Sequence, residues 1–157
     1  MGHSSDAIET VKQWYESHDL DHEKNSYDVG NTVFFASQIG SAVVFISVDV
    51  DADDEEPMLR VVSPLVKVPE DKKTLELFEF CMVGNSRIQS FSLAYFENKS
   101  EITLIHDRPC EGLDRSELDF IIKNLGYIAD KVDNILVDKY GCVSETVEAQ
   151  KAEEARS

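Results

Sequence analysis

The sequence has little positive charge. Fifteen Lys and Arg stand against 31 Asp and Glu, which leaves a formal net charge of −16 over 157 residues. Such a surface repels nucleic acid and anionic membrane surfaces, and it suits basic or amphipathic polypeptide partners. No basic-aromatic platform for nucleic acid is present either. Cysteine is scarce: Cys81, Cys110 and Cys142 lie roughly thirty residues apart with no C-x-x-C, which argues against zinc and against a thioredoxin-type site. Their odd number argues against a disulfide framework, so reduced thiols in a cytoplasmic protein are expected. No apolar run approaches the ~20 residues of a membrane span. The N-terminal residues lack a basic region followed by an apolar run, so no signal peptide is expected. The seven glycines never form G-x-G-x-x-G or a Walker pattern, and there is no G-x-S-x-G elbow. With no catalytic motif, the expectation is a protein that is not an enzyme and carries no cofactor.

What is present is amphipathic patterning. Ser5 or Asp6 can cap a first helix that runs to about His18, with Ile8, Val11, Trp14 and Tyr15 on one side. Polar residues from Asp19 to Asp28 read as a loop. Thr32–Ile39 and Ala42–Val50 read as strands joined at Gly40-Ser41. In the second, Val43 and Phe45 point one way and Val44, Ile46, Val48 and Val50 the other. Met58–Val68 reads as a further strand, in which Pro64 cannot donate to a ladder and so predicts an edge position or a bulge. Pro69-Glu70-Asp71 suits the opening of a second helix, which continues through "KKTLELFEFCMV" to Gly84-Asn85. "SFSLAYF" and "EITLIHD" form a hairpin. Asp114-Arg115-Ser116-Glu117 resembles a capping box for a long last helix ending at Gly141. Leu118, Ile121, Leu125, Ile128, Val132 and Ile135, widened by Ile122, Ala129 and Leu136, form a broad core stripe. Gly126 inside it costs about 1 kcal/mol relative to alanine. The order is α-β-β-β-α-β-β-α, an α+β fold with an antiparallel sheet and helices on one face. One domain is expected over residues 6–143, followed by a polar tail, 144–157, that is frayed or disordered.

Candidate sites are few. "DVDADDEE", Asp49–Glu56, is the densest acidic stretch. Asp49, Asp51 and Asp53 match the first calcium-ligand positions of an EF-hand loop. Asp54 stands where the glycine belongs and Arg60 where the bidentate glutamate belongs, so a charged hairpin tip is the expectation and a calcium-responsive regulator the alternative. His18 and His22 lack a third metal ligand. His106 suits a surface or hydrogen-bonded histidine. Cys81 sits in an apolar helix where a thiolate is disfavoured, whereas Arg108 near Cys110 could lower that thiol's pKa. No catalytic or metal residues are assigned.

Apolar surface remains. In the second helix Leu75, Phe78 and Met82 cluster on one side, and Leu77, Phe80 and Cys81 roughly opposite. One side can pack on the domain's own sheet; the other needs a cover. Leu77, Phe80 and Cys81 are taken as the uncovered side, facing a second copy or a partner. Phe120 and Tyr127, off the core stripe of the last helix, are candidates for the same role.

The segments "MLRVVSPLVKVPEDKKTLELFEFCMVGNS", "SFSLAYFENKSEITLIHD" and "GLDRSELDFIIKNLGYIADKVDNILVDKYG", in this element order, resemble the YbjN-domain family. That family shares its fold with class I type III secretion chaperones of the Tir-chaperone type. The likeness runs from Asp6 to Tyr140. It implies a bacterial, non-enzymatic protein, commonly a homodimer, with no catalytic residues to carry over. Relatives of the secretion type hold an extended client peptide along apolar patches, and YbjN proteins are tied to stress or signalling regulation.

Overall fold

The computed structural model describes residues 2–50, 56–145 and 155–156. The first helix, α1 (His3–Ser17), starts a turn earlier than the expected cap, with Gly2 as N-cap. It buries Ala7, Val11, Trp14 and Tyr15 at helical spacing. Four strands follow: β1 (Ser26–Val29), β2 (Thr32–Ile39), β3 (Ala42–Asp49) and β4 (Met58–Lys67). β1 falls partly inside the expected loop; it forms because Gly30-Asn31 makes a two-residue hairpin turn that pairs Val29 with Thr32. After β4, Pro69 does not open the second helix. It caps a single 3-10 turn, Glu70–Lys72. The helix α2 (Leu75–Asn85) begins only where the Thr74 hydroxyl accepts from the Leu77 N–H, 3.2 Å.

A hairpin of β5 (Ser92–Phe96) and β6 (Glu101–Pro109) leads to α3 (Arg115–Tyr140). Asp114 caps α3 by accepting from the Glu117 N–H at 2.8 Å, and Gly141 closes it at φ +71°. The reciprocal half of the capping box is absent, because the Glu117 carboxylate is engaged by Arg108. A two-residue strand, β7 (Val143–Ser144), pairs with Val66 and Lys67, and the Glu145 N–H donates to Leu65 O. These contacts reach Glu145, two residues beyond 143.

The sheet is antiparallel, in the order β1-β2-β3-β4-β6-β5, with β7 beside β4. This is an α+β fold. β4 is central, so Pro64 is not at an edge. Pairing of β3 with β4 ends at Val62, where the missing N–H of Pro64 costs nothing, and a bulge between Pro64 and Val66 absorbs the irregularity. The bulge lets Leu65 and Val66 both reach the core. α3 lies across the sheet with α1 beside it, while α2 packs over β5. Phe35, Val44, Ile46, Val48, Leu59, Val61 and Leu104 meet Leu118, Ile122, Leu125 and Leu136 of α3 in one core. The stripe of α3 is rotated slightly from expectation: Ile135 is 40% exposed, and Asp133 occupies a core position.

Candidate functional site: uncovered apolar surfaces

The register fixes which side chains share a face. Phe35 pairs with Ile46, Ile46 with Val61, and Leu93 with Leu104, all on the helical side. Their neighbours, Phe34 paired with Ser47, Phe45 with Val62, and Pro64 with Thr103, must therefore point to the other face. No helix packs there among the described residues. The face is nonetheless largely apolar. Tyr27 stacks on Phe34 (ring centroids 5.2 Å apart, planes 8° from parallel) and is 49% exposed. With Phe45, Val62, Pro64 and Phe96 these rings line a cleft of about 400 Å³.

The charges at its rim neutralise one another. Arg60 donates to both oxygens of Asp107 at 2.7 and 2.8 Å, which raises the guanidinium pKa further. Lys67 reaches the buried carboxylate of Glu101 at 3.4 Å and donates to Lys99 O at 3.0 Å. In a chain of net charge −16, this makes an apolar, locally neutral floor inside an acidic surround.

α2 supplies a second surface. Its two apolar sides exist as expected, but their roles are reversed. Leu77 is fully buried and Cys81 nearly so, both in the domain's own core. The exposed strip is Leu75 (82% exposed), Met82 (71%) and Val83 (43%), with Phe78 half-buried edge-on against Tyr95. Both sides are apolar, so sequence pattern could not say which one meets the sheet. The decision lies at the end of the helix. Asn85 Nδ2 donates to Leu93 O at 3.1 Å, and the Leu93 N–H donates to Asn85 Oδ1 at 2.6 Å. The side chain stands in for a neighbouring strand at the edge of β5 and fixes the rotation of α2. Phe80 is half-buried, its ring 5.2 Å from that of Tyr140. It lines a groove with Glu76, Glu79, Val83, Lys139 and Tyr140.

Phe120 and Tyr127 are 63% and 61% exposed on the outer side of α3, with Lys131 Nζ 4.2 Å above the Tyr127 ring. At 1.5 Å rise per residue they lie roughly 30 and 20 Å along the helix from Tyr140, so they do not join the α2 surface. The remaining candidates separate as well. His18 bonds to Asp119 and His22 to Glu16. His106 Nδ1 lies 2.6 Å from Ser90 O. Cys110 is buried, and burial outweighs Arg108, pushing its thiol up to about 11; Cys81 is likewise raised to about 11 by burial. Asp49 accepts from the Thr32 hydroxyl at 2.9 Å, while Asp51 and Asp53 lie outside the described residues. The acidic stretch joins β3 to β4, which pair antiparallel from Val48–Leu59 onward. No described helix is long and apolar enough to cross a membrane.

No family profile and no curated protein sequence matches the chain. Solved structures do. The ExsC–ExsE complex aligns with a TM-score of 0.65 at 14% identity, covering 87% of this chain and 97% of that one. The HopA1–SchA chaperone–effector complex aligns at 0.56 and 11% identity, covering 79% and 90%. YbjN from E. coli aligns at 0.52 and 7% identity, covering 87% and 94%. The chain has the fold of YbjN and the secretion chaperones. At these identities the likeness concerns the fold alone.

Proposed function

We propose that the protein is a non-enzymatic, chaperone-like binder of a polypeptide segment and acts as a homodimer. The observation that carries this reading is the sheet face left open opposite the helices, with Tyr27, Phe34, Phe45, Val62, Pro64 and Phe96 around one cleft. An apolar surface of this kind marks an interaction site in a soluble domain. Apolar side chains of an extended segment would fill the cleft, and the acidic surround would attract the basic residues beside them. Two solved structures of this fold support the reading, since one is a chaperone–effector complex and the other a two-protein complex. The exposed strip Leu75, Met82 and Val83 is assigned to contact between two copies, which replaces Leu77 and Cys81 in that role; Phe80 stays at its margin, and Phe120 and Tyr127 are assigned no contact.

The test separates the two surfaces. Sedimentation velocity at micromolar concentration should give a dimer for the wild type and a monomer for Met82→Glu. An array of 15-residue peptides should retain those combining apolar residues with Lys or Arg, and Phe45→Glu should weaken retention at least about tenfold. A wild-type monomer sinks the dimer. Peptide retention that is absent, or indifferent to Phe45→Glu, sinks the binding surface.

A further inference from the structure

Two residues that line the same small cavity each hold a buried polar atom without a hydrogen-bond partner. Ser63 is fully buried on β4, and its Oγ is unpaired; Asp133 is 7% exposed on α3, and its Oδ1 is unpaired. Both residues line a cavity of about 10 Å³, shared with Ser41, Ala42, Pro64, Leu65, Ala129 and Asp130. The other Asp133 oxygen accepts from the Ser144 hydroxyl on β7 at 3.1 Å. No Lys, Arg or His pairs with Asp133 among the described residues.

An orphaned hydroxyl and an orphaned carboxylate oxygen together are a costly arrangement, because each gives up its hydrogen bonds to water on burial and regains none. The two lie on different elements and around one void, so a single occupant can satisfy both. The void has the volume of one water-sized sphere, and a buried water needs two to four polar partners. Ser63 Oγ and Asp133 Oδ1 are two. The Ser41 hydroxyl, which lies 3.3 Å from Asp130 Oδ1, and Asp130 itself stand on the same lining. A calcium ion would need six to eight oxygen ligands; with Asp133 Oδ2 engaged by Ser144 and Asp130 Oδ1 by Ser41, these side chains leave fewer than that free.

We propose that this cavity is a built site for one structural water molecule, which accepts from the Ser63 hydroxyl and donates to Asp133 Oδ1. The water sits where β4 is weakest: the bulge after Pro64 interrupts the ladder with β6, and the pairing with β3 has already ended. It links β4 to α3, and through the Asp133–Ser144 bond it links both to β7. Docking of the C-terminal strand then depends on a polar network that neither β4 nor α3 completes alone.

The sign of one substitution tests the proposal. If the cavity is dry, Ser63→Ala removes a hydroxyl that has no partner, and the folding equilibrium constant stays unchanged or rises. If a water bridges the pair, Ser63→Ala strands Asp133 Oδ1 and the water, and the constant falls about tenfold. Ser63→Ala combined with Asp133→Asn should then fall by clearly less than the product of the two single effects, because both lose the same bridge. Amide exchange at Glu145, whose N–H reports the docked strand, should accelerate in Ser63→Ala. A crystal structure at high resolution should place one water between the two atoms. A neutral or stabilising Ser63→Ala, or an empty cavity in the electron density, overturns the proposal. So does wild-type stabilisation by sodium or calcium at constant ionic strength that Asp133→Asn abolishes, which would make the occupant a cation.

Discussion

Replacing Asn85 with alanine should destabilise the fold through one edge of the sheet. Leu93 is 7% exposed, and its N–H and C=O point away from β6 to Asn85 at 2.6 and 3.1 Å. Alanine removes both partners at once. Each stranded backbone group costs about 1–3 kcal/mol, and some water can reach the strand edge, so the sum should be about 2–4 kcal/mol. That is a large share of the 5–15 kcal/mol by which a domain of this kind is stable, roughly. Urea unfolding can be followed by the fluorescence of Trp14, the chain's single tryptophan, which is 1% exposed. With a urea slope of about 2 kcal/mol/M, the midpoint should fall by about 1–2 M at unchanged slope. Asn85→Asp keeps the acceptor for the Leu93 N–H and loses the donor to Leu93 O, so it should land between wild type and alanine. Exchange at the Leu93 amide should accelerate in the alanine variant. If Asn85→Ala shifts stability by less than about 0.5 kcal/mol and leaves that amide protected, the strand-mimicking role of Asn85 is wrong.

Further outcomes follow from burial and backbone geometry. Cys81 and Cys110, both raised to about 11, should each be about one part in a thousand thiolate at pH 8. A disulfide reagent should therefore label these two thiols in the folded protein at least ~100-fold more slowly than free cysteine, with both released by denaturant; fast labelling of either in native buffer would refute this. Gly126→Ala should stabilise the protein by up to about 1 kcal/mol through helix propensity. The new methyl would meet only the Ile39 Cγ2 methyl at 3.4 Å, and a lowered thermal midpoint would show that this contact cannot relax. The carboxyl of Asp133 lies above the ordinary carboxylate range, chiefly through burial, with Asp130 and Asp138 adding and the Ser144 hydroxyl opposing. The folded state therefore holds this proton to a higher pH than the unfolded state does. The stability it contributes is complete below about pH 4 and is lost as pH rises through the folded pKa. Urea melts over that range should show wild type losing stability relative to Asp133→Asn; a constant difference would refute the shift.

Much of this molecule was legible from local pattern, because helices and strands announce their buried faces by period. Val11, Trp14 and Tyr15 on α1, Val44, Ile46 and Val48 on β3, and Leu118, Ile122 and Leu125 on α3 all stand in the core where spacing put them. Asp114 and Gly141 bound the last helix by short-range chemistry that the sequence states outright. Where pattern was symmetric, it could not decide. α2 is apolar on both sides, and only the packing of its Leu77 side against β5, with Asn85 fastened to Leu93, shows that Leu75 and Met82 face outward. The short β1 carries one turn signal, Gly30-Asn31, and no apolar alternation strong enough to declare a strand.

The open sheet face was hidden for a related reason. Phe34, Phe45, Val62 and Phe96 come from four strands scattered along the chain, and only registry across the sheet brings them around one cleft. The same holds for Ser63 and Asp133, which read in sequence as an unremarked strand serine and a charge on a helix. Most of the elements and the acidic field are local properties of the chain, since they depend on neighbours a few residues apart. Which apolar side of α2 is spent on the core, which sheet face is left uncovered, and where buried polar atoms meet are settled by packing. Those depend on pairings between distant segments, whose geometry no local period encodes.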